Sequence, residues 1–317
     1  MISLKLKMGE IGVMIGIAVF IVIVQILSLI IAPRLTTYNM QAFGNPQSSF
    51  NYVAPVLYVG LLLAFTAFLL LIIKYKVNWL IQLIMGITIL STLVYVVFAI
   101  MIKFLPSMDL LPIIAISSVA SVILTVALFV YPEWFIIDIV GILVAAGASA
   151  LFGISLSVIP CIILLVLLAV YDFISVYKTK HMIKLAEGVM DLKLPILFVM
   201  PRRWGYSFKQ AQGLPKEGER EAYFMGLGDA VMPTILAVSA NSPLTFPGAS
   251  TIGFINYPAL GTVIGTLVSY AVLMYVVIQL KKPQAGLPFL CTGAIVGFLI
   301  GCLVAGINPF QGLSSLF

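Results

Sequence analysis

Apolar residues in this chain come in unbroken runs of roughly 20, separated by short polar stretches and by one long polar segment. At ~1.5 Å per residue, a helix of that length crosses the ~30 Å of hydrocarbon in a bilayer. The runs are Ile11–Ala32, Ala54–Ile73, Trp79–Ile102, Leu110–Val130, Trp134–Phe152, Leu156–Tyr177, Glu221–Asn241, Asn256–Leu280 and Leu287–Ile307. None alternates apolar and polar positions as the strands of a membrane barrel do. In lipid, every backbone N–H and C=O must find its partner inside the protein, so the pattern predicts helices. The expectation is an all-α polytopic membrane protein with nine transmembrane helices. The polar segment splits it into a six-helix part (1–177), a hydrophilic cytoplasmic loop (178–220) and a three-helix part (221–317).

Composition sharpens this reading. The chain is 62% apolar and 9% charged, against roughly 45–50% and about 25% in soluble domains, which excludes a water-soluble fold. Positive loops stay cytoplasmic. With the N-terminus inside, the inner face receives Lys5, Lys7, Lys74, Lys76, Lys178, Lys180, Lys184, Lys193, Arg202, Arg203, Lys209, Lys216, Arg220, Lys281 and Lys282, and the outer face only Arg34 and Lys103. This bias requires an odd number of spans and places the C-terminus outside. Topology and attraction to anionic lipid then account for the net charge of +6 without nucleic acid. The first run follows Lys5 and Lys7 but lacks a small-residue cleavage site, so it reads as a retained span. Cys161, Cys291 and Cys302 have the spacing of neither a zinc site nor a disulfide framework.

Acidic side chains in hydrocarbon are costly, by at least ~2.5 kcal/mol on insertion scales, so each needs a partner or a task. Within the spans they are Asp138, Asp172, Asp229 and, at the mouth of the seventh, Glu221. Asp138 reads as structural, in the first turns of a helix where the dipole and interfacial water favour negative charge. Asp172 stands ~9 Å before the sixth span leaves the membrane, and Asp229 ~12 Å after the seventh enters it. Their carboxyls can therefore meet across an antiparallel pair. Two carboxyls that close cannot both ionise, and a pair sharing one proton serves as acid and base together, the chemistry of aspartic peptidases. Spacing alone leaves open an ion-coupled transporter or cation leak channel using the same acids, or a scaffold that binds helices without cutting them.

The flanking residues add a family resemblance. Asp172 stands in Tyr171-Asp172, and Asp229 ends Gly226-Leu227-Gly228-Asp229, with Pro233 following. In this order, on neighbouring spans, these resemble the YD and GxGD motifs of the presenilin and signal peptide peptidase family, and the compact loops look most like its archaeal members. The resemblance covers nearly the whole chain. It implies a multi-pass protein of the cell membrane that hydrolyses peptide bonds within substrate transmembrane helices. It also implies Asp172 and Asp229 as the catalytic dyad, with no metal or organic cofactor; a homo-oligomer and accessory subunits stay open. The family's PAL motif has two candidates. Pro258-Ala259-Leu260 matches the letters but opens the eighth span, whereas Ala285-Gly286-Leu287-Pro288 departs from the letters but opens the ninth. The position favours the second.

Tyr171, Gly226, Leu227, Gly228, Ala285, Gly286, Leu287 and Pro288 are thus the expected substrate-binding residues. Gly226 and Gly228 either give substrate room beside the acid or serve helix packing. Tyr171 either bonds near the dyad or packs. Gly293, Gly297 and Gly301, like Gly261 and Gly265, recur every four residues and read as packing. Leu192–Met200, in the inner loop, is either a strand that adds an unwound substrate by main-chain pairing, with Pro195 suited to an edge, or a segment lying on the membrane face. Pro201–Arg220 reads as partly disordered. A zinc or serine protease fails by inventory, because His181 is the one histidine and lies outside the spans.

Overall fold

The structure, a computed structural model, describes residues 8–40, 50–75, 78–179, 197–201, 222–243, 246, 250–280 and 284–309. Among the described residues each predicted apolar run contains a helix. They are α1 (Met8–Thr37), α2 (Phe50–Lys74), α3 (Asn78–Phe104), α4 (Leu110–Val130), α5 (Trp134–Ser155), α6 (Val158–Ile174), α7 (Leu227–Asn241), α8 (Tyr257–Leu280) and α9 (Gly286–Ala305). Seven are long and apolar enough to cross a membrane. The other two are α2, whose apolar stretch is Pro55–Phe68, and α7, which has only 15 residues.

The short helix α7 is the axis of the fold. Every residue from Pro233 to Ala240 is buried, and α1, α5, α6, α8 and α9 all pack around it. Large apolar side chains such as Leu61, Ile87, Leu111, Val119 and Leu303 face outward. Gln25, Ser28, Ser117, Ser149, Thr234 and Ser239 are buried instead, as expected where hydrocarbon is the solvent, and Ser28, Ser149 and Ser239 bond between helices. Ser28 Oγ donates to the Ala146 carbonyl at 3.1 Å, and Ser239 Oγ to that of Leu156 at 2.6 Å.

The segment before α7 corrects the sequence expectation. The seventh span was expected to be helical from Glu221, but Ala222–Gly226 is a strand, β2, paired antiparallel with β1 (Leu197–Pro201). The register sets Leu197 opposite Gly226 and Val199 opposite Phe224. An extended residue advances about 3.3 Å, over twice the helical rise, so five residues of strand supply depth that the short α7 lacks. Pairing also satisfies the facing half of the amides that a lone strand would leave bare. The segment between α6 and α7 is therefore not hydrophilic throughout. Phe198 and Val199 are buried, and Phe198 stacks on Phe20 of α1 with centroids 5.6 Å apart. Of the expected strand Leu192–Met200, the part before Leu197 lies outside the described residues; of Pro201–Arg220, where disorder was expected, Pro201 ends β1 and the rest lies outside the described residues.

A second ribbon, β3 (Thr251–Ile252) with β4 (Ile255–Asn256), leads into α8. Asn256 closes both helix ends beside it: its Oδ1 accepts from the Ala259 N–H at 2.9 Å, and its Nδ2 donates to the last turn of α7 at Ala240 O, 2.7 Å away. The helices α8 and α9 then touch backbone to backbone. A Cβ on Gly297 would collide with the Gly261 carbonyl, and one on Gly265 with that of Gly293. The glycine repeats are packing devices.

Candidate active site

Asp172 stands two residues before the end of α6, and is 5% exposed. The chain then tightens into a π-helical turn, Ser175–Thr179, in which Ser175 donates to the Asp172 carbonyl through its Oγ, at 3.0 Å, and through its N–H. Such turns are rare and frequent at functional sites. Sequence periodicity does not reveal them.

Asp229 lies not deep within a helix, as expected, but in the first turn of α7. Gly226, the last residue of β2, holds the N-cap position with φ −61° and ψ 136°, which makes Asp229 the third helical residue. There the partial positive charge of the helix start faces the carboxyl. The glycines differ. A Cβ at Gly226 would meet Asp229 Oδ2 at an ordinary 3.6 Å, while one at Gly228 would meet nothing within 4 Å. Gly228 thus opens onto empty space beside the acid. Leu227 turns the other way, toward Gly141 of α5.

The start of α9 brings the acids together. The Leu287 N–H donates to Asp172 Oδ2 at 3.3 Å, and the Asp229 carboxyl rests against Gly286, where a Cβ would stand 2.7 Å from Oδ2. The two carboxyls flank adjacent residues and lie within electrostatic reach of each other. Ala285 caps α9 and is buried. Pro288 falls in the first turn, where no N–H is needed. Of the two PAL candidates, the structure brings Ala285–Pro288 to the acids. Pro258 packs instead against Gly301, fifteen residues or ~22 Å along α9 from Gly286.

Tyr171 is half-buried beside Asp172. Two neighbours had no sequence signal. Cys291, buried one turn beyond Leu287, lies within electrostatic reach of both aspartates, and Tyr177 of the π turn donates to Gln284 Oε1, tying the end of α6 to the segment before α9. Among the described residues no three His, Cys, Asp or Glu side chains cluster as metal ligands would.

A pair of acids at two helix ends, Asp172 buried and Asp229 half-buried, held against the start of a third, can hold one proton between them and activate water. Comparisons with known proteins agree. The family model "Signal-peptide peptidase, presenilin aspartyl protease" matches residues 17–307. Two solved structures of a presenilin family intramembrane aspartate protease, in different crystal forms, are 34% and 35% identical, with TM-scores of 0.67 and 0.64. The alignments cover 92% and 96% of this chain and 99% of each of those chains. The comparison with curated proteins gives no match. By its match over 17–307, the chain belongs to the signal-peptide peptidase and presenilin family of intramembrane aspartyl proteases.

Proposed function

We propose that Asp172 and Asp229 are the catalytic dyad with which this chain hydrolyses peptide bonds inside substrate transmembrane helices. One carboxylate takes a proton from water as it attacks the scissile carbonyl. The other, protonated, polarises that carbonyl and then protonates the departing amine. The roles belong to the pair rather than to either residue. The observation that carries this reading is the convergence of both carboxyls on Gly286 and Leu287. No observation supports an ion-coupled transporter or leak channel.

A substrate helix has its amides paired, so it must unwind before attack, and its exposed backbone then needs partners. The strand expected to supply them is only half the answer. On β1 the Val199 N–H points away from β2 and already has an acceptor in Asp138. In an antiparallel pair, outward positions on one strand oppose outward positions on the other, so Ala222 and Gly226 turn toward the far edge of β2. That edge runs into Gly226-Leu227-Gly228-Asp229 and carries no strand among the described residues. Substrate backbone adds there, with Gly228 leaving room, Ala285 to Pro288 forming the opposite wall and Tyr171 lining one end of the cleft, while Leu227, expected from the sequence to touch substrate, packs on Gly141 instead. With the N-terminus cytoplasmic, the helices cut are those whose own N-terminus lies outside.

The test mixes the purified chain in detergent with a single-span substrate, with and without a transition-state isostere of aspartyl proteolysis. Cleavage is expected for the native chain, blocked by the isostere and lost in both Asp172→Asn and Asp229→Asn. Cleavage persisting in either variant overturns the dyad.

A further inference from the structure

Asp138 was expected to be an interfacial acid solvated at a helix start. It is 3% exposed. Its Oδ1 accepts the Val199 N–H at 2.8 Å, while Oδ2 is buried without a hydrogen-bond partner. A carboxyl that reaches across 61 residues of chain to one strand amide, and sits in an apolar setting to do so, is a costly way to fill space.

The surroundings show what the bond holds. One turn further along α5, Gly141 lets Phe198 and Leu227 approach: a Cβ there would stand 3.3 Å from the Phe198 ring and 3.7 Å from Leu227 Cδ2. Val199 and Ala222, one from each strand, share an apolar cluster with Ile137 and Val140 of α5. One helix face thus grips β1 by an amide, β1 by a ring and the GxGD segment by a leucine. Apolar contact alone would let the ribbon slide along α5, because such contact is not directional. A hydrogen bond to one amide fixes register.

We propose that Asp138 is a positioning residue, which locks the β1–β2 ribbon against α5 so that the outer edge of β2 and the Asp229 carboxyl hold a fixed relation to Asp172. Val199 lies opposite Phe224, two residues before Gly226, so a slip of β1 is passed directly to the strand that ends at the catalytic motif. The proposal rests on the proteolytic reading for its consequence, but not for its geometry.

The experiment therefore has two arms. In the first, amide exchange at Val199 is followed by mass spectrometry in the Asp172→Asn background, which needs no activity. Val199 is expected to be protected like the helix cores, to exchange rapidly in Asp138→Leu and to stay protected in Asp138→Asn, which keeps the Oδ1 acceptor. In the second, kcat and KM are measured on folded protein. Asp138→Leu is expected to lower kcat/KM by about tenfold or more, the scale set by one buried amide left unpaired, and Asp138→Asn to restore most of it. A role in stability alone would lower the melting temperature and leave kcat/KM of the folded fraction intact, and that result overturns the proposal. So does rapid exchange of Val199 in the Asp138-containing protein, which can be read even if Asp138→Leu does not fold, or an Asp138→Asn variant as impaired as Asp138→Leu. If the native chain cleaves nothing, the proteolytic reading fails while the exchange arm still decides the anchor.

Discussion

The carboxyl of Asp229 lies against Gly286, so close that a Cβ on Gly286 would stand 2.7 Å from Oδ2 and 3.0 Å from Oδ1. Gly286→Ala must therefore push Asp229 away from its place. Displacing a reacting group by about 1 Å costs roughly a hundredfold in rate. The expectation is a fall in kcat of that order with helical content unchanged, because alanine is at least as good a helix former. Normal kcat in a folded Gly286→Ala variant would mean that the carboxyl does not need this position.

Gly228 makes the contrasting case. A Cβ there meets nothing within 4 Å, so Gly228→Ala leaves Asp229 undisturbed and occupies only the space left for substrate. Its effect belongs in KM, with kcat within about threefold of the parent, since lost uniform binding moves KM alone. Steady-state kinetics on a single-span substrate separate the two glycines.

The Leu287 N–H is the donor that Asp172 Oδ2 has from α9. Hydrogen bonds to charged groups are worth about 1.5–3 kcal/mol, so Leu287→Pro, which removes the N–H near a helix start where proline is tolerated, should lower kcat/KM roughly tenfold to a hundredfold. Leu287→Ala keeps the donor and should lose less. Equal losses in the two variants would assign the role to the side chain.

Much of this arrangement was legible in the chain, and the limits have physical causes. Hydrophobic run length finds helices because the bilayer sets their length, and it placed eight of the nine within a few residues. It failed at Ala222–Gly226, since five apolar residues read alike as strand or as helix start. What decided between them was pairing with Leu197–Pro201 from across the long polar segment, a contact no local window contains. Asp172 and the Ala285–Pro288 segment were readable from their positions on the spans, whereas Asp229 was found as an acid but set too deep in its helix. Asp138 was visible as an acid but not as an anchor, because its partner is a backbone amide, and every residue has one. The nearness of Cys291 to both aspartates was hidden for another reason, since it depends on how α9 packs against α6 and α7.

Asn256 is expected to matter for stability and not for chemistry. It joins the end of α7 to the start of α8 through its Oδ1, its Nδ2 and its own N–H, which donates to Asn241 Oδ1 at 2.8 Å. Losing an N-cap costs ~1 kcal/mol, and leaving the buried Ala240 carbonyl unpaired adds about 1–3. Asn256→Ala should melt several degrees lower, yet keep its kcat/KM below the melting point, because this corner lies at the end of α9 opposite the aspartates. A selective loss of kcat/KM in stable protein would show coupling along the helices.

The backbone contact between α8 and α9 sets the last expectation, for here packing and chemistry are tied. Gly265 and Gly297 have no room for a Cβ, because each would drive one into the facing backbone, and backbone cannot rotate out of the way as a side chain can. Gly297→Val should therefore cost more than the ~1–3 kcal/mol typical of overpacking. The helix it displaces begins with Gly286 and Leu287, so the partners of both aspartates move with it. Activity and melting temperature should fall together, unlike in Asn256→Ala. Gly60 is the control: it is exposed on α2 and a Cβ there meets nothing, so Gly60→Ala should be neutral or stabilising by up to ~1 kcal/mol. Thermal unfolding and cleavage measured on these three variants would distinguish a rigid α8–α9 unit that positions the site from one that only fills the bundle. In the second case Gly297→Val would lower the melting temperature without touching the kcat of the protein that remains folded.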